Sequence, residues 1–176
     1  MKILRSKKVY QFLPWVKVYL QDIKYKKKIY KNHHIVKFED ACMVIALTKK
    51  NEILTLNQFR HGLKKSSIGF PGGHIKKGEK PLIAAKRELF EETGFKAKKW
   101  NKLMQFTRHG TYGCGKDYVF IATNIKKIKD PIENNESYTI NLISIEKLKK
   151  LLLKNKLDTA GIIAGITFFL LKYSKY

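Results

Sequence analysis

The chain has 176 residues, a hydrophobic content of 44% and a formal net charge of +23, from 37 Lys and Arg against 14 Asp and Glu. This length and apolar content suffice for a globular unit with a real core. The basic N-terminal residues lack the apolar run of a signal peptide, and the longest apolar stretch, residues 160–171, is shorter than the roughly 20 residues of a membrane-spanning helix. We therefore expect a cytoplasmic protein that makes no membrane contact.

The positive charge and the cysteines limit the possible classes of protein further. Cys42 and Cys114 have no metal-ligand or redox spacing, which argues against a disulfide framework and against a zinc site. A surface of this charge attracts polyanions, but the lysines occur in short groups without a nucleic-acid-binding motif. A lysine-rich solvated surface with weak, non-specific nucleic-acid binding is favoured, and a dedicated nucleic-acid site is the alternative.

The predicted elements mix strands with helices. Alternating apolar residues predict antiparallel strands between positions 16 and 36, a hairpin formed by 41–47 and 52–59, and strands at 117–123 and 138–143. Helical spacing covers 81–93, 146–154 and 159–172. The mixture predicts an α/β or α+β fold, with residues 1–40 as an N-terminal β-strand extension and residues 41–176 as a single globular domain.

The helix over 81–93 carries an unusual acidic patch. Pro81 suits its first turn, and Gly94 follows its last residue, where a positive φ is common. Glu88, Glu91 and Glu92 are three or four residues apart, so their carboxylates project from one side of the helix. Mutual repulsion and the macrodipole both disfavour this arrangement, and a bound cation relieves both effects.

The neighbourhood of the patch indicates which cation it suits. Carboxylate oxygens, with water and substrate phosphates completing the coordination, are the ligands that Mg²⁺ prefers. Arg87 lies four residues before Glu91 and can pair with it, while Glu79 in the preceding loop can fold back toward the arginine. An acidic patch on a solvated helix is the alternative for any isolated pair of these glutamates.

The full spacing resembles the signature of the Nudix family. From Gly73 to Phe95 the sequence shows Gly, five residues, Glu, seven residues, then Arg-Glu-aliphatic-any-Glu-Glu-any-Gly-apolar. FPGG at 70–73 resembles the strand end before this motif, and NQFR at 57–60 resembles a strand of the ADP-ribose pyrophosphatase branch. The resemblance runs from about Val16 to the C-terminus and implies an α/β/α sandwich with a mixed sheet and N-terminal antiparallel strands.

The resemblance also implies roles for individual residues. It makes Glu88 and Glu92 the principal ligands of Mg²⁺ or Mn²⁺, Glu91 a further ligand, and the carbonyl of Gly72 or Gly73 an additional one. Arg87 and Glu79 are the supporting residues. Glu136, with Glu133 as the alternative, supplies a further ligand or the general base, and a solvated loop carboxylate is the other interpretation of each.

Two residues outside the motif are candidates for substrate binding. Arg60 offers a bidentate fork to a phosphate, although a surface arginine after an edge strand is the alternative. Tyr112 lies in the glycine-rich segment 109–117 and can present a stacking ring to a nucleotide, while a flexible hairpin is an equal alternative.

The resemblance implies a metal-dependent pyrophosphohydrolase that acts on a nucleoside diphosphate linked to another moiety. ADP-ribose and nucleotide sugars are the expected substrates, and the N-terminal strands imply a homodimer. The branch usually has a proline about fifteen residues beyond the motif, whereas this sequence has none between Pro81 and Pro131. The substrate therefore stays open, and the alternatives are an RNA 5′-end pyrophosphohydrolase, another nucleic-acid-directed protein, and a nucleotide sensor without catalysis.

Overall fold

The computed structural model describes residues 1–131 and 138–173. Its contacts divide the chain into two compact units, which we describe separately. Unit 1 contains Met1–Asp40 and Phe106–Asp117, and unit 2 contains residues 41–105 and those from Tyr118 onward. The two long strands β8 (Phe95–His109) and β9 (Gly113–Lys127) contribute residues to both units.

Unit 1 is built on three antiparallel strands, β1 (Lys2–Phe12), β2 (Val16–Tyr25) and β3 (Lys28–Phe38). The predicted strands between positions 16 and 36 are confirmed by β2 and β3. The sequence did not predict β1, because register shifts between Ile3 and Arg5 and between Lys8 and Tyr10 interrupt the alternation of its side chains. Every residue of β1 is exposed, so no core face marks the strand in the sequence.

The remainder of unit 1 is the hairpin where β8 turns into β9 through residues 110–112. The Arg108 guanidinium donates to the Asp117 carboxylate over 2.9 Å and to the Glu39 carbonyl over 3.1 Å. The Val36 amide donates to the Tyr112 carbonyl over 2.9 Å. The glycine-rich segment therefore forms a tight hairpin held at its base by an ion pair, rather than an extended loop.

Unit 2 has a sheet in the strand order β9, β4 (Ala41–Leu47), β5 (Glu52–Arg60) and β10 (Tyr138–Ser144). Two short strands extend it, because β6 (Lys65–Gly69) pairs with β5 and β7 (Gly72–His74) pairs with β4. Consecutive β4 residues Val44, Ile45 and Ala46 are fully buried, as expected for a central strand that is covered on both faces. The predicted hairpin of β4 and β5 is confirmed.

Three helices complete unit 2: α1 (Pro81–Thr93), α2 (Ile145–Leu153) and α3 (Ala160–Tyr173). The predicted helix boundaries agree with these within one residue. Ala84, Ala85 and Leu89 of α1 pack with Leu54 and Leu56 of β5 in one buried cluster. The result is a mixed α/β fold. No helix among residues 1–131 and 138–173 combines the length and the apolar character that a membrane span requires.

Gly94 joins the end of α1 to the end of β9. Its φ of 72° is left-handed, and its amide donates to the Phe90 carbonyl over 2.9 Å, which caps the helix. Its own carbonyl accepts from the Ile128 amide over 2.9 Å. A Cβ at position 94 would lie only 1.9 Å from the Lys129 carbonyl oxygen. Only glycine satisfies both the backbone conformation and the close approach.

Alanine substitutions at three glycines can separate these two effects. Gly94→Ala introduces a strained φ and a backbone clash, so its free energy of unfolding should fall by about 3 kcal/mol or more. Gly78 has a φ of 79° but open space around it, so Gly78→Ala should lose only about 1–2 kcal/mol. Gly62 has neither constraint, and Gly62→Ala should stay within about 0.5 kcal/mol of the parent.

Urea denaturation followed by circular dichroism measures all three variants. Equal losses in Gly94→Ala and Gly78→Ala would show that the approach of the Lys129 carbonyl adds nothing to the cost of a side chain at position 94.

Candidate active site

Two glycines of β7 lie against the acidic residues of α1. The Gly72 amide donates to Glu92 Oε2 over 2.8 Å. The Glu88 carboxylate fills the space where a side chain at position 73 would lie, because a Cβ there would be 2.6 Å from Glu88 Oε1. A Cβ at position 72 would be 2.2 Å from the Cys42 carbonyl oxygen of β4. A side chain at position 72 would overlap the backbone of β4, and one at position 73 would displace the Glu88 carboxylate, which explains the double glycine before the motif.

Arg87 is the centre of the charged network in this region. Its Nε and Nη2 donate to the two oxygens of Glu79, each over 3.0 Å, and Nη2 also donates to the His74 carbonyl over 3.1 Å. The hydrogen bonds from Arg87 lower the pKa of Glu79 to about 2. In return, the hydrogen bond to Glu79 raises the pKa of Arg87 further above its usual range. Both groups are therefore ionised at neutral pH.

The same guanidinium reaches two glutamates of α1. Arg87 Nη1 donates to Glu88 Oε1 over 2.7 Å and to Glu91 Oε2 over 3.1 Å. The Glu88 side chain is largely buried, while Glu91 is considerably more exposed. The Arg87 guanidinium thus offsets part of the repulsion among the carboxylates, and it links the helix to the loop that carries Glu79.

The donor chemistry of this cluster fits a hard divalent cation. Glu88, Glu91 and Glu92 offer only oxygen atoms, and backbone carbonyls adjoin them, which is the ligand type that Mg²⁺ and Mn²⁺ prefer. Within the described residues, no three acidic, imidazole or thiol side chains converge on one point at metal-binding distances. The reason is visible in the contacts: Arg87 holds Glu88 and Glu91, and the Gly72 amide holds Glu92.

Two contacts beside the cluster were not predicted from the sequence. The Tyr138 hydroxyl donates to the Glu92 carbonyl over 2.7 Å and ties β10 to the last turn of α1. The Cys42 thiol donates to the Gly73 carbonyl over 3.6 Å, and burial raises its pKa to about 11, so it stays protonated. Both contacts join positions that are distant in sequence, and no local pattern indicates either of them.

The other predicted site residues lie in different parts of the chain. Arg60 ends β5, is exposed, and has no hydrogen bond or ion pair with the acidic residues in the part of the chain that is described. Tyr112 belongs to unit 1, where its exposed ring stacks on His109 with centroids 4.6 Å apart. Glu136 and Glu133 lie outside the described residues.

The comparison with known proteins decides the family. The model of the NUDIX domain matches residues 37–164, which is most of the chain. This chain belongs to the Nudix family. The resemblance drawn from the motif is therefore confirmed, and the protein is a Nudix hydrolase, a pyrophosphatase.

Several known proteins are similar to this Nudix hydrolase over most of its length. It is 28% identical over 159 residues to the ADP-ribose pyrophosphatase of Bacillus subtilis (strain 168), covering 89% of this chain and 86% of that protein. It is 29% identical over 152 residues to the methanol dehydrogenase activator of Bacillus methanolicus, covering 85% and 82%. The crystal structure of an ADP compounds hydrolase superposes with a TM-score of 0.83 at 18% identity, covering 99% of this chain and 96% of that one, and confirms the fold.

Proposed function

We propose that this Nudix hydrolase cleaves the pyrophosphate of a nucleoside diphosphate linked to a second moiety, of the ADP-ribose or nucleotide-sugar type. The products are a nucleoside monophosphate and a phosphorylated second moiety. The observation that carries the proposal is the cluster of Glu88 and Glu92 against the glycines of β7, oriented by Arg87. The Bacillus subtilis relative, an ADP-ribose pyrophosphatase aligned over most of this chain, supports the substrate class.

The carboxylates of α1 are the proposed metal site. Glu88 and Glu92 would hold Mg²⁺ or Mn²⁺, with Glu91 and the Gly73 carbonyl as further ligands. A divalent cation at such a site neutralises the diphosphate and lowers the pKa of a bound water. The Gly72 amide holds Oε2 of Glu92, and Arg87 holds Oε1 of Glu88, so the two proposed principal ligands are oriented by neighbouring groups.

Other residues of the chain position the substrate and accept the proton. Water adds to one phosphorus, the bridging P–O bond breaks, and a glutamate from the segment before β10 takes the water's proton. Glu136 is the proposed base and Glu133 the alternative. Arg60 holds a phosphate through its guanidinium fork, and Tyr112 stacks on the nucleobase.

A substrate panel with metal control tests this proposal. ADP-ribose, ADP-glucose, diadenosine polyphosphates, ATP and 5′-triphosphate RNA are each assayed with Mg²⁺, with Mn²⁺ and with excess EDTA. We expect the highest kcat/KM for ADP-ribose or ADP-glucose, AMP among the products, and no turnover in EDTA, because the carboxylates alone cannot neutralise a diphosphate.

Each of the other outcomes contradicts a stated part of the proposal. A preference for 5′-triphosphate RNA would replace the substrate class with the nucleic-acid alternative. Full turnover in EDTA would remove the metal. Nucleotide binding without turnover on any compound would indicate a sensor, although all the glutamates of the motif are present in this chain.

We also propose that the chain forms a homodimer through the strands of unit 1. One face of these strands carries apolar side chains in register: Phe12, Val16 and Phe38 form one row, and Tyr10 and Val18 belong to the next. The rings of Tyr10, Phe12 and Phe38 are exposed. A second copy would bury this patch through two-fold contacts.

Light scattering at micromolar concentration checks the oligomeric state. The expected result is twice the mass of 20.5 kDa for the parent chain and a monomer for the Phe12→Lys/Phe38→Lys variant, in which the patch is charged. A monomeric parent chain would contradict the dimer.

A further inference from the structure

The turn between β2 and β3 forms a second distinctive surface, which lies within unit 1. We call residues Tyr25–Tyr30 the hairpin tip; its sequence is YKKKIY. β2 ends at Tyr25, β3 begins at Lys28, and Lys26 takes a left-handed φ of 54° in the turn between them. The proposed hydrolase mechanism uses none of these residues.

The hairpin tip carries a concentrated positive charge. Five lysines fall within eight residues, and no acidic residue occurs from Ile23 to Phe38. They are Lys24, Lys26, Lys27, Lys28 and Lys31. Lys2 of β1 lies directly opposite Lys24, and a like-charge pair in this position destabilises a sheet.

The nearest carboxylate in the sequence does not offset this charge. Asp22 accepts from the Asn32 amide over 2.9 Å and from Arg5 Nε over 2.8 Å. The hydrogen bond from the Asn32 backbone, followed by that from Arg5, lowers the pKa of Asp22 below its usual value. The carboxylate is therefore ionised but already engaged, and among the described residues no carboxylate lies within ion-pair distance of the lysines of the hairpin tip.

Two tyrosines lie beside these lysines on one face. Tyr25 pairs with Lys28 and Ile23 pairs with Tyr30, so Tyr25 and Tyr30 are diagonal neighbours on the same side of the hairpin. Their residues are 50% and 48% exposed. An open cavity of about 490 Å³ is lined by both tyrosines and by Lys26, Lys27 and Lys28.

Exposed rings beside ammonium groups match the chemistry of an unpaired nucleotide chain. Aromatic rings stack on bases of any sequence, and lysines follow the phosphates. Diagonal neighbours across a strand pair are about 7–8 Å apart, close to the separation of two rings with one base stacked between them. We propose that the hairpin tip binds single-stranded nucleic acid without sequence selectivity, with a base at Tyr25 and Tyr30 and phosphates at Lys26, Lys27 and Lys28.

The order of residues at the apex favours nucleic acid over a lipid surface. A segment that enters a bilayer places apolar side chains at its leading edge and keeps its charges behind them. Here the turn itself consists of consecutive lysines, and the tyrosines lie behind it on the strands. Duplex nucleic acid fits less well, because paired bases are not available to the tyrosine rings.

Binding is measured by fluorescence anisotropy of a labelled oligouridine with a 5′-hydroxyl end, in EDTA, so that hydrolysis plays no part. The test variant is Lys26→Gln/Lys27→Gln/Lys28→Gln. The matched control is Lys96→Gln/Lys98→Gln/Lys99→Gln, which removes the same charge from exposed positions of β8 in unit 2. The hairpin variant should lose at least about tenfold in affinity, and its salt slope should fall by about 2, as expected for three phosphate contacts on a single strand. The control should lose no more than about threefold.

The tyrosines are tested separately. Tyr25→Leu/Tyr30→Leu should lose about tenfold in affinity for the single strand and should no longer prefer it over the duplex. Tyr25→Phe/Tyr30→Phe retains both rings and should bind like the parent chain. Circular dichroism melting of each variant verifies that the sheet of unit 1 is intact.

Three results would overturn the proposal. Equal losses in the two triple-lysine variants would mean that the charge acts diffusely over the whole surface. Tight binding of the Leu variant would remove the role of the rings. Vesicles of phosphatidylserine and phosphatidylcholine that bind through the hairpin tip, while oligouridine binding does not depend on it, would assign the surface to an anionic membrane. Hydrolysis of small nucleotides enters none of these measurements, so the outcome is independent of the proposed function.

Discussion

The guanidinium of Arg87 resolves the electrostatic conflict on which the candidate site depends. Three glutamates near the C-terminal end of one helix repel one another and oppose the helix dipole. Arg87 binds Glu88 and Glu91 on the helix, and at the same time Glu79 and the His74 carbonyl in the preceding segment. A single, partly buried guanidinium therefore stabilises the helix, fixes the loop and orients Glu88 and Glu91, which is why the spacing between these residues is constrained.

The sheet supplies the other half of the site. β4 is buried on both faces and positions β7, whose glycines allow the backbone to approach the carboxylates of α1 directly. At the same, C-terminal end of the helix, Gly94 lets the Lys129 carbonyl approach, and the Tyr138 hydroxyl donates to the Glu92 carbonyl. The last turn of the acidic helix is thus held from several sides by backbone and side-chain contacts.

The parts that could be predicted from the sequence depend on local spacing. The limits of α1, the pairing of β4 with β5 and the family follow from periodicity, capping and the motif, and all are confirmed. The bulged β1, the strand β8 and the bond from Gly72 to Glu92 were not predicted, because they depend on irregular registers or on distant pairing. The roles of Arg60, Tyr112 and Glu136 stay predictions.

The central claim is that the carboxylates of α1 form the catalytic metal site, and turnover of Glu92→Gln on the best substrate at saturating Mg²⁺ tests it most directly. Glutamine keeps an oxygen that can accept the Gly72 amide, so the variant should fold, while the loss of charge should lower kcat by about a hundredfold or more. Glu146→Gln, on the first turn of α2, is the matched control and should keep normal turnover. A folded Glu92→Gln protein with kcat near that of the parent chain would contradict the claim.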